Sequence, residues 1–163
     1  MDGADKKYIV DASSWITVEN HPAQNRILFC VGKLIESGKI LCPTEAWGEV
    51  KFCPWVLAWL EPDKDDFVQS ISTTEYLMTV GRVTHRFPAM AGARRRKERA
   101  DQYIVATAMY LNATSNPTKH IVICEETDNQ RASRKLVTAC DALGVEHKGL
   151  LEMLRDEFPE EGW

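Results

Sequence analysis

Short apolar runs alternate with longer amphipathic segments along most of this chain. The first run, residues 8–10 (YIV), is typical of a buried strand and stops at Asp11. Residues 40–42 and 120–124 have the same apolar character, and residues 145–147 predict a last short strand. Short apolar strands that alternate with helices predict a parallel sheet covered on both faces.

Between these runs, apolar positions recur with helical spacing. After Pro22 they fall at positions 27, 28, 31, 34 and 35, and Gly38 is expected to end that helix. Thr44 is expected to cap the next helix, which Pro54 must break or restart. Further helices are predicted over residues 65–80 and 150–158. Two more are predicted between them: one begins at Asp101, and another, which follows the strand 120–124, ends at Gly144.

These elements predict one α/β domain over residues 1–163, with three α/β/α layers and a central parallel sheet of about four short strands. The composition is that of a globular protein, with 44% hydrophobic and 27% charged residues. No apolar run approaches the roughly 18 residues that a membrane helix needs, and the N-terminus lacks a signal-peptide pattern. We therefore expect a cytoplasmic protein without a membrane partner.

The five cysteines are scattered at positions 30, 42, 53, 124 and 140, without a CxxC motif. An odd, scattered set is poor support for a disulfide framework or a zinc site. Cys42 and Cys124 lie in apolar strand-like runs, which is typical of buried thiols.

The net charge of −4 argues against general binding to polyanions, but the positive charge is concentrated in one block. Arg94, Arg95, Arg96 and Lys97 lie directly before the helix that Asp101 opens. Cationic side chains bind phosphates with salt-sensitive, sequence-independent affinity. This block is the candidate RNA-binding segment, and a solvated loop is the other interpretation.

Acidic residues stand at the ends of the predicted strands or on the helices that follow them. They are Asp11 after the first strand, Glu49 on the helix after the second, Asp101 at a helix start, and Glu125, Glu126 and Asp128 after the strand 120–124. In an open parallel sheet, ligands bind outside the carboxyl ends of the strands. Each residue also has a structural explanation: a helix cap for Asp11, a solvated helix position for Glu49, helix-dipole pairing for Asp101, and a polar loop for the rest.

Carboxylates packed closely together repel one another unless a cation neutralises them. A hard divalent ion with oxygen ligands, Mg²⁺ or Mn²⁺, suits such a set, and no His or Cys is needed. Such an ion lowers the pKa of a bound water and offsets the charge that develops on a phosphodiester.

At these residues the sequence resembles the PIN-domain family. The segments that carry the resemblance are YIVDASSWI, PTEAWGEV, RKERADQYIVATAMYLNA, HIVICEE and ACDALGVEHKGLLEMLRDE. The third segment and the last are the more specific, and residues 51–96 carry least of the resemblance. The resemblance implies a metal-dependent endoribonuclease. Many bacterial members of the family are VapC-like toxins of toxin–antitoxin pairs, so a toxin role is among the functions that the resemblance implies.

Carried over residue by residue, the resemblance implies that Asp11, Glu49 and Asp101 are metal ligands and that Ser13 is a helper beside Asp11. The fourth acidic site departs from the family pattern, because Cys124 stands where many relatives have Thr. Glu126 occupies the acidic position there, and Asp128 is the alternative ligand. The implied partners are RNA, an antitoxin protein and a second copy of the chain.

The leading hypothesis is therefore a Mg²⁺- or Mn²⁺-dependent endoribonuclease in which Asp11, Glu49, Asp101 and Glu126 form the catalytic site. Metal-activated water would hydrolyse RNA phosphodiesters while the basic block guides the strand. The alternative is a PIN-like binding or scaffold protein with weak or absent catalysis, which the altered fourth acidic site favours.

Overall fold

The computed structural model describes residues 4–88, 100–125 and 136–163. In these ranges the chain forms a single five-stranded sheet in which all neighbouring strands are parallel. The strands are β1 (Lys6–Val10), β2 (Ile40–Pro43), β3 (Val68–Gln69), β4 (Lys119–Ile123) and β5 (His147–Lys148).

Helices flank this sheet, as the alternating sequence pattern predicts. They are α1 (Ala12–Glu19), α2 (Gln24–Glu36), α3 (Thr44–Trp47), α4 (Pro54–Leu60), α5 (Lys64–Phe67), α6 (Thr74–Arg86), α7 (Asp101–Thr114), α8 (Leu136–Leu143) and α9 (Leu150–Glu157). Short 3₁₀ turns occupy Val50–Phe52, Glu61–Asp63 and Pro159–Glu161. The α/β class and the layered architecture are confirmed.

The strand order β3-β2-β1-β4-β5 places β1 at the centre of the sheet. Tyr8, Ile9 and Val10 are fully buried there, as is the apolar part of β4, because both faces of a parallel sheet are covered by helices. Helix α7 packs against β1, β2 and β4, and α2 packs against β2. The core therefore lies on both sides of β1.

Several helix boundaries follow from individual residues, as predicted. Gly38, with φ of +71°, and Gly144, with φ of +69°, adopt the left-handed conformation that ends α2 and precedes β5. Pro54 is the first residue of α4, where its missing N–H costs nothing. Asp101 is the first residue of α7.

The predicted helix over residues 65–80 is wrong, because strand β3 interrupts it. Val68 and Gln69 pair with Cys42 and Pro43, which adds a fifth strand to the expected four. A new helix, α6, then begins after Thr73, whose side chain accepts a hydrogen bond from the Tyr76 N–H. A two-residue strand has no periodicity of its own, so only its pairing with β2 reveals it.

Two further boundaries differ from the sequence prediction. Pro43, not Thr44, occupies the cap position of α3, and the Thr44 hydroxyl donates instead to the Gln69 carbonyl at 3.1 Å. The last strand covers residues 147–148 rather than 145–147, because the Val145 N–H closes the end of α8 by donating to the Cys140 carbonyl at 2.9 Å.

Burial of the cysteines agrees with the sequence prediction: all five are free thiols and all are buried. In the described part of the chain, no helix has the length and apolar character that a membrane span requires.

Candidate active site at the carboxyl ends of the central strands

The chain reverses its direction across the sheet between β1 and β4. From β1 it proceeds to β2 and β3 on one side, and it then crosses to β4 and β5 on the other. The carboxyl ends of such a strand pair border the crevice where open α/β sheets bind ligands. Asp11 follows β1 at this point, and its backbone N–H donates to the Ile123 carbonyl of β4 at 2.8 Å.

Asp11 is both the N-cap of α1 and a buried carboxylate. Its backbone is extended, and its Oδ2 accepts a hydrogen bond from the Ser13 N–H at 3.1 Å. The residue is only 8% exposed, and the other carboxylate oxygen, Oδ1, is buried with no hydrogen-bond donor among the described residues. A buried carboxylate oxygen without a donor is costly. The cap interpretation of Asp11 is therefore correct, but it accounts for only one of the two oxygens.

Ser13 connects Asp11 to the end of β4. Its hydroxyl donates to Asp11 Oδ2 at 2.6 Å and accepts the N–H of Glu125 at 2.9 Å. A hydroxyl that donates to an ionised oxygen forms a short, strong bond. Ser13 thus orients the Asp11 carboxylate, which is the geometry that the predicted helper role requires.

Glu49 contacts the start of α7, the helix that Asp101 opens. Glu49 Oε1 accepts the N–H of Ala100, the residue before Asp101, at 3.0 Å. Ala100 is the N-cap of α7 and forms no side-chain cap, so Glu49 satisfies a backbone donor at this helix end. The negative carboxylate also suits the positive end of the helix dipole.

Cys42 lies within the electrostatic field of several carboxylates at this edge of the sheet. Burial raises the pKa of its thiol most, and Asp11, Glu45 and Glu49 each raise that pKa further. Carboxylates that follow β1 and β2 therefore act on the same buried thiol. Glu45, on α3, is a member of this group that the sequence prediction missed. Glu49 lies in the turn after α3 and not, as the sequence predicted, on that helix, because the helix ends at Trp47.

The described residues do not already form a complete metal centre. Among residues 4–88, 100–125 and 136–163, no three His, Cys, Asp or Glu side chains lie together in an arrangement that could hold a metal ion. Asp11 and Glu49 each direct one oxygen to a protein donor instead. The donor set nevertheless fits a hard divalent ion, because its members are carboxylates and the buried Asp11 Oδ1 has no donor among the described residues.

The remaining predicted site residues fall outside the described ranges. These are the candidate fourth ligands Glu126 and Asp128 and the candidate RNA-binding residues Arg94, Arg95, Arg96 and Lys97.

Glu125 has a role that sequence reasoning did not assign. Its Oε1 accepts the N–H of Leu150, the first residue of α9, at 2.6 Å. Its carboxylate therefore faces a helix N-terminus on the β5 side of the sheet. No local pattern near Glu125 signals this contact, because its partner lies 25 positions away.

Comparison with curated proteins finds no match to this chain. A family model described as "Domain of unknown function (DUF4411)" matches residues 8–159. The match extends from β1 to the turn after α9 and includes Asp11, Ser13, Glu49, Asp101 and Glu125. The chain belongs to this family of unknown function, DUF4411.

Proposed function

We propose that this protein is a Mg²⁺- or Mn²⁺-dependent endoribonuclease of PIN type. The observation that carries the proposal is the buried Oδ1 of Asp11, which has no hydrogen-bond donor in the described ranges. Asp11 directly follows β1, and its backbone N–H bonds to the end of β4, at the point where the strand order reverses. A cation is the natural partner for such an oxygen, because it removes the cost of burying an unpaired charge.

Different residues of the chain would bind the ion and orient its ligands. Asp11 would hold the ion through Oδ1, while Ser13 keeps Oδ2 in place. Asp101 at the start of α7, and Glu49, which accepts the N–H of the residue before it, would supply further oxygen ligands, with Glu126 or Asp128 as the fourth. A divalent ion in such a site would supply a water of lowered pKa and would offset negative charge on the phosphodiester.

RNA is the proposed substrate because a basic block stands directly before α7. Arg94, Arg95, Arg96 and Lys97 precede Asp101 by only a few positions. Their positive charge would hold the phosphate backbone close to the carboxylates at the start of that helix. An overall charge of −4 would still disfavour binding of RNA elsewhere on the surface.

An RNA cleavage assay tests the proposal. The purified protein should cleave single-stranded RNA with Mg²⁺ or Mn²⁺ present and should stop when EDTA is added. Asp11→Asn should lose this activity, whereas the matched variant Asp66→Asn should keep it, because Asp66 is exposed on α5. Full activity of Asp11→Asn would refute the assignment, as would cleavage that persists in EDTA.

The alternative function is a binding or scaffold protein on the same fold. Exposed aromatic side chains support a partner surface: Trp55 and Trp59 on α4 are 46% and 42% exposed, and Phe52 just before them is 64% exposed. Aromatic residues are enriched in interface cores. Such a surface suits the antitoxin or second copy that the family resemblance implies.

Partner binding and catalysis can be separated experimentally. Replacing Trp55 and Trp59 together by Ser should abolish self-association, measured by sedimentation, or binding of a co-expressed partner. RNA cleavage should persist in that double variant if both functions exist. A protein that loses its partner, and that never cleaves RNA or responds to Mn²⁺, would support the scaffold function alone.

A further inference from the structure

Glu125 joins the Asp11 centre to a helix on the far side of β4. On one side its backbone N–H donates to Ser13 Oγ at 2.9 Å. On the other side its side-chain Oε1 accepts the Leu150 N–H at 2.6 Å. One residue therefore connects the carboxylate of Asp11, through Ser13, to the first turn of α9.

The carboxylate of Glu125 acts as the cap that α9 otherwise lacks. Gly149 is the N-cap residue and has no side chain to accept a hydrogen bond. A Cβ at position 149 would lie 3.5 Å and 3.6 Å from the two Glu125 carboxylate oxygens, so the carboxylate packs directly over the cap residue. A negative group is stabilised there by the helix N–H groups and the helix dipole.

The anchoring of Glu125 fixes the direction of the Ser13 hydroxyl. A serine hydroxyl has one proton, and the Glu125 N–H occupies an acceptor site on its oxygen. The Ser13 proton is then directed to Asp11 Oδ2, to which it donates at 2.6 Å. Asp11 Oδ2 is thereby occupied by the hydroxyl and by the Ser13 N–H, and Oδ1 is the oxygen left over.

We propose that Glu125 is a positioning residue of the Asp11 centre, which acts through its hydrogen bond to α9 and the Ser13 hydroxyl and does not itself bind metal. The expected effect on metal binding and RNA cleavage rests on the proposed function. The orientation of Asp11 by Ser13 and Glu125 does not depend on that function. It gives the first Glu after β4 a role that differs from that of the ligands proposed at Glu126 or Asp128.

Metal binding distinguishes a positioning role from a ligand role. Glu125→Ala removes the acceptor for Leu150, and Glu125→Gln keeps an acceptor oxygen but removes the charge. We expect Glu125→Ala to weaken Mn²⁺ binding, measured by calorimetry, by about 10- to 100-fold, as is usual when a partner of a metal ligand is lost. Glu125→Gln should restore most of the affinity. An equal loss in both variants would identify Glu125 as a ligand and overturn the inference.

Glu160→Gln is the matched control, because Glu160 is exposed in the 3₁₀ turn that follows the other end of α9. It should bind Mn²⁺ like the wild type. In RNA cleavage, Glu125→Ala should lower kcat and leave KM for RNA unchanged, since Glu125 acts on the ligand and not on the strand. An effect confined to KM would also overturn the inference.

Amide hydrogen exchange in metal-free protein provides a readout that does not depend on catalysis. Glu125→Ala should accelerate exchange at the Ser13 N–H, which donates to Asp11 Oδ2, while Glu125→Gln and Glu160→Gln should not. The Val122 N–H of β4, which donates to the Glu146 carbonyl, serves as the reference for overall stability.

Mn²⁺ binding and Ser13 amide exchange together distinguish failure of the proposed function from failure of the positioning role of Glu125. If the wild type binds no Mn²⁺ but Ser13 exchange follows the expected pattern, the proposed function fails and the positioning role stands. If Ser13 exchange is unchanged in Glu125→Ala, the positioning role fails even where metal binds. If Glu125→Ala does not fold, Mn²⁺ binding by Glu125→Gln still distinguishes the two roles of Glu125. A ligand role predicts that Glu125→Gln loses Mn²⁺ affinity, whereas a positioning role predicts that it keeps most of it.

Discussion

Ser13 holds Asp11 through two hydrogen bonds that end on the same oxygen. Its amide donates to Asp11 Oδ2 at 3.1 Å and its hydroxyl donates to that atom at 2.6 Å. The first bond is an ordinary helix cap, which many Asp residues form without any further function. The second is not needed for capping, and it leaves Oδ1 as the oxygen that has no donor among the described residues.

Ser13→Ala should weaken the centre while retaining the cap. Loss of the hydroxyl leaves the Glu125 N–H without its acceptor and Asp11 Oδ2 with one donor fewer, which should lower the free energy of unfolding by about 1–3 kcal/mol. Mn²⁺ affinity should fall by about 10- to 100-fold. Urea denaturation and calorimetry measure the two effects. The control is Ser13→Thr, which keeps the hydroxyl and should keep both properties; a Ser13→Ala variant that binds Mn²⁺ normally would refute the orienting role.

Glu49→Gln and Glu49→Ala should differ in stability but not in metal binding. Gln keeps an oxygen that accepts the Ala100 N–H, whereas Ala leaves that donor of the α7 terminus without this acceptor. We expect Ala to cost about 1 kcal/mol more than Gln in urea denaturation. Both should lose Mn²⁺ affinity, because both lack the negative charge. Normal Mn²⁺ affinity in Glu49→Gln would remove Glu49 from the ligand set.

The opposite end of the sheet contains a hydrogen-bonded group that should affect stability alone. The Tyr8 hydroxyl donates to Glu157 Oε1 at 2.6 Å, and Lys39 Nζ donates to Oε2 at 2.7 Å. Tyr8→Phe should lower the free energy of unfolding by about 1.5–3 kcal/mol, the range for a bond to a charged group. Mn²⁺ affinity should not change, since the Tyr8 hydroxyl bonds to Glu157 at the last residue of α9, the opposite end of that helix from Leu150. A parallel loss of metal affinity would mean that general destabilisation, not local chemistry, governs binding.

His120 should make the protein less stable in mild acid. Burial lowers the pKa of its imidazole below the usual 6.5, and Lys7 lowers it further. A group whose pKa is lower in the folded than in the unfolded state contributes stability above its unfolded pKa, and that contribution is lost as the pH falls. The free energy of unfolding should therefore decrease between about pH 7.5 and about pH 5.5, more in the wild type than in His120→Gln. The matched control, His85→Asn, changes an exposed histidine and should keep the wild-type pH dependence.

Much of the fold follows from local sequence pattern, and the exceptions depend on hydrogen bonds that this pattern does not show. The strand–helix alternation predicts the parallel sheet, and Gly38, Pro54 and Asp101 mark helix ends through their own backbone chemistry. Strand β3 could not be predicted, because its two residues become a strand only by pairing with β2.

The candidate site likewise contains positions that the sequence predicts and a contact that it does not. The position of Asp11 after a central strand, and that of Ser13 two residues later, can be read directly from the sequence. The contact between Glu125 and Leu150 cannot, because it depends on how α9 packs beside β4. Sequence position alone therefore singles out acidic residues near the strand ends, but it could not assign Glu125 to a helix terminus.

Isothermal titration calorimetry of the wild type, Asp66→Asn and Asp11→Asn measures directly whether Mn²⁺ binds to Asp11. Asp11→Asn keeps a good N-cap, because Asn caps helices as well as Asp does, so its metal-free Tm should match or exceed that of the wild type. We predict that the wild type and Asp66→Asn bind Mn²⁺ and that Asp11→Asn does not. Equal binding by Asp11→Asn, or no binding by the wild type at about millimolar Mn²⁺, would contradict it.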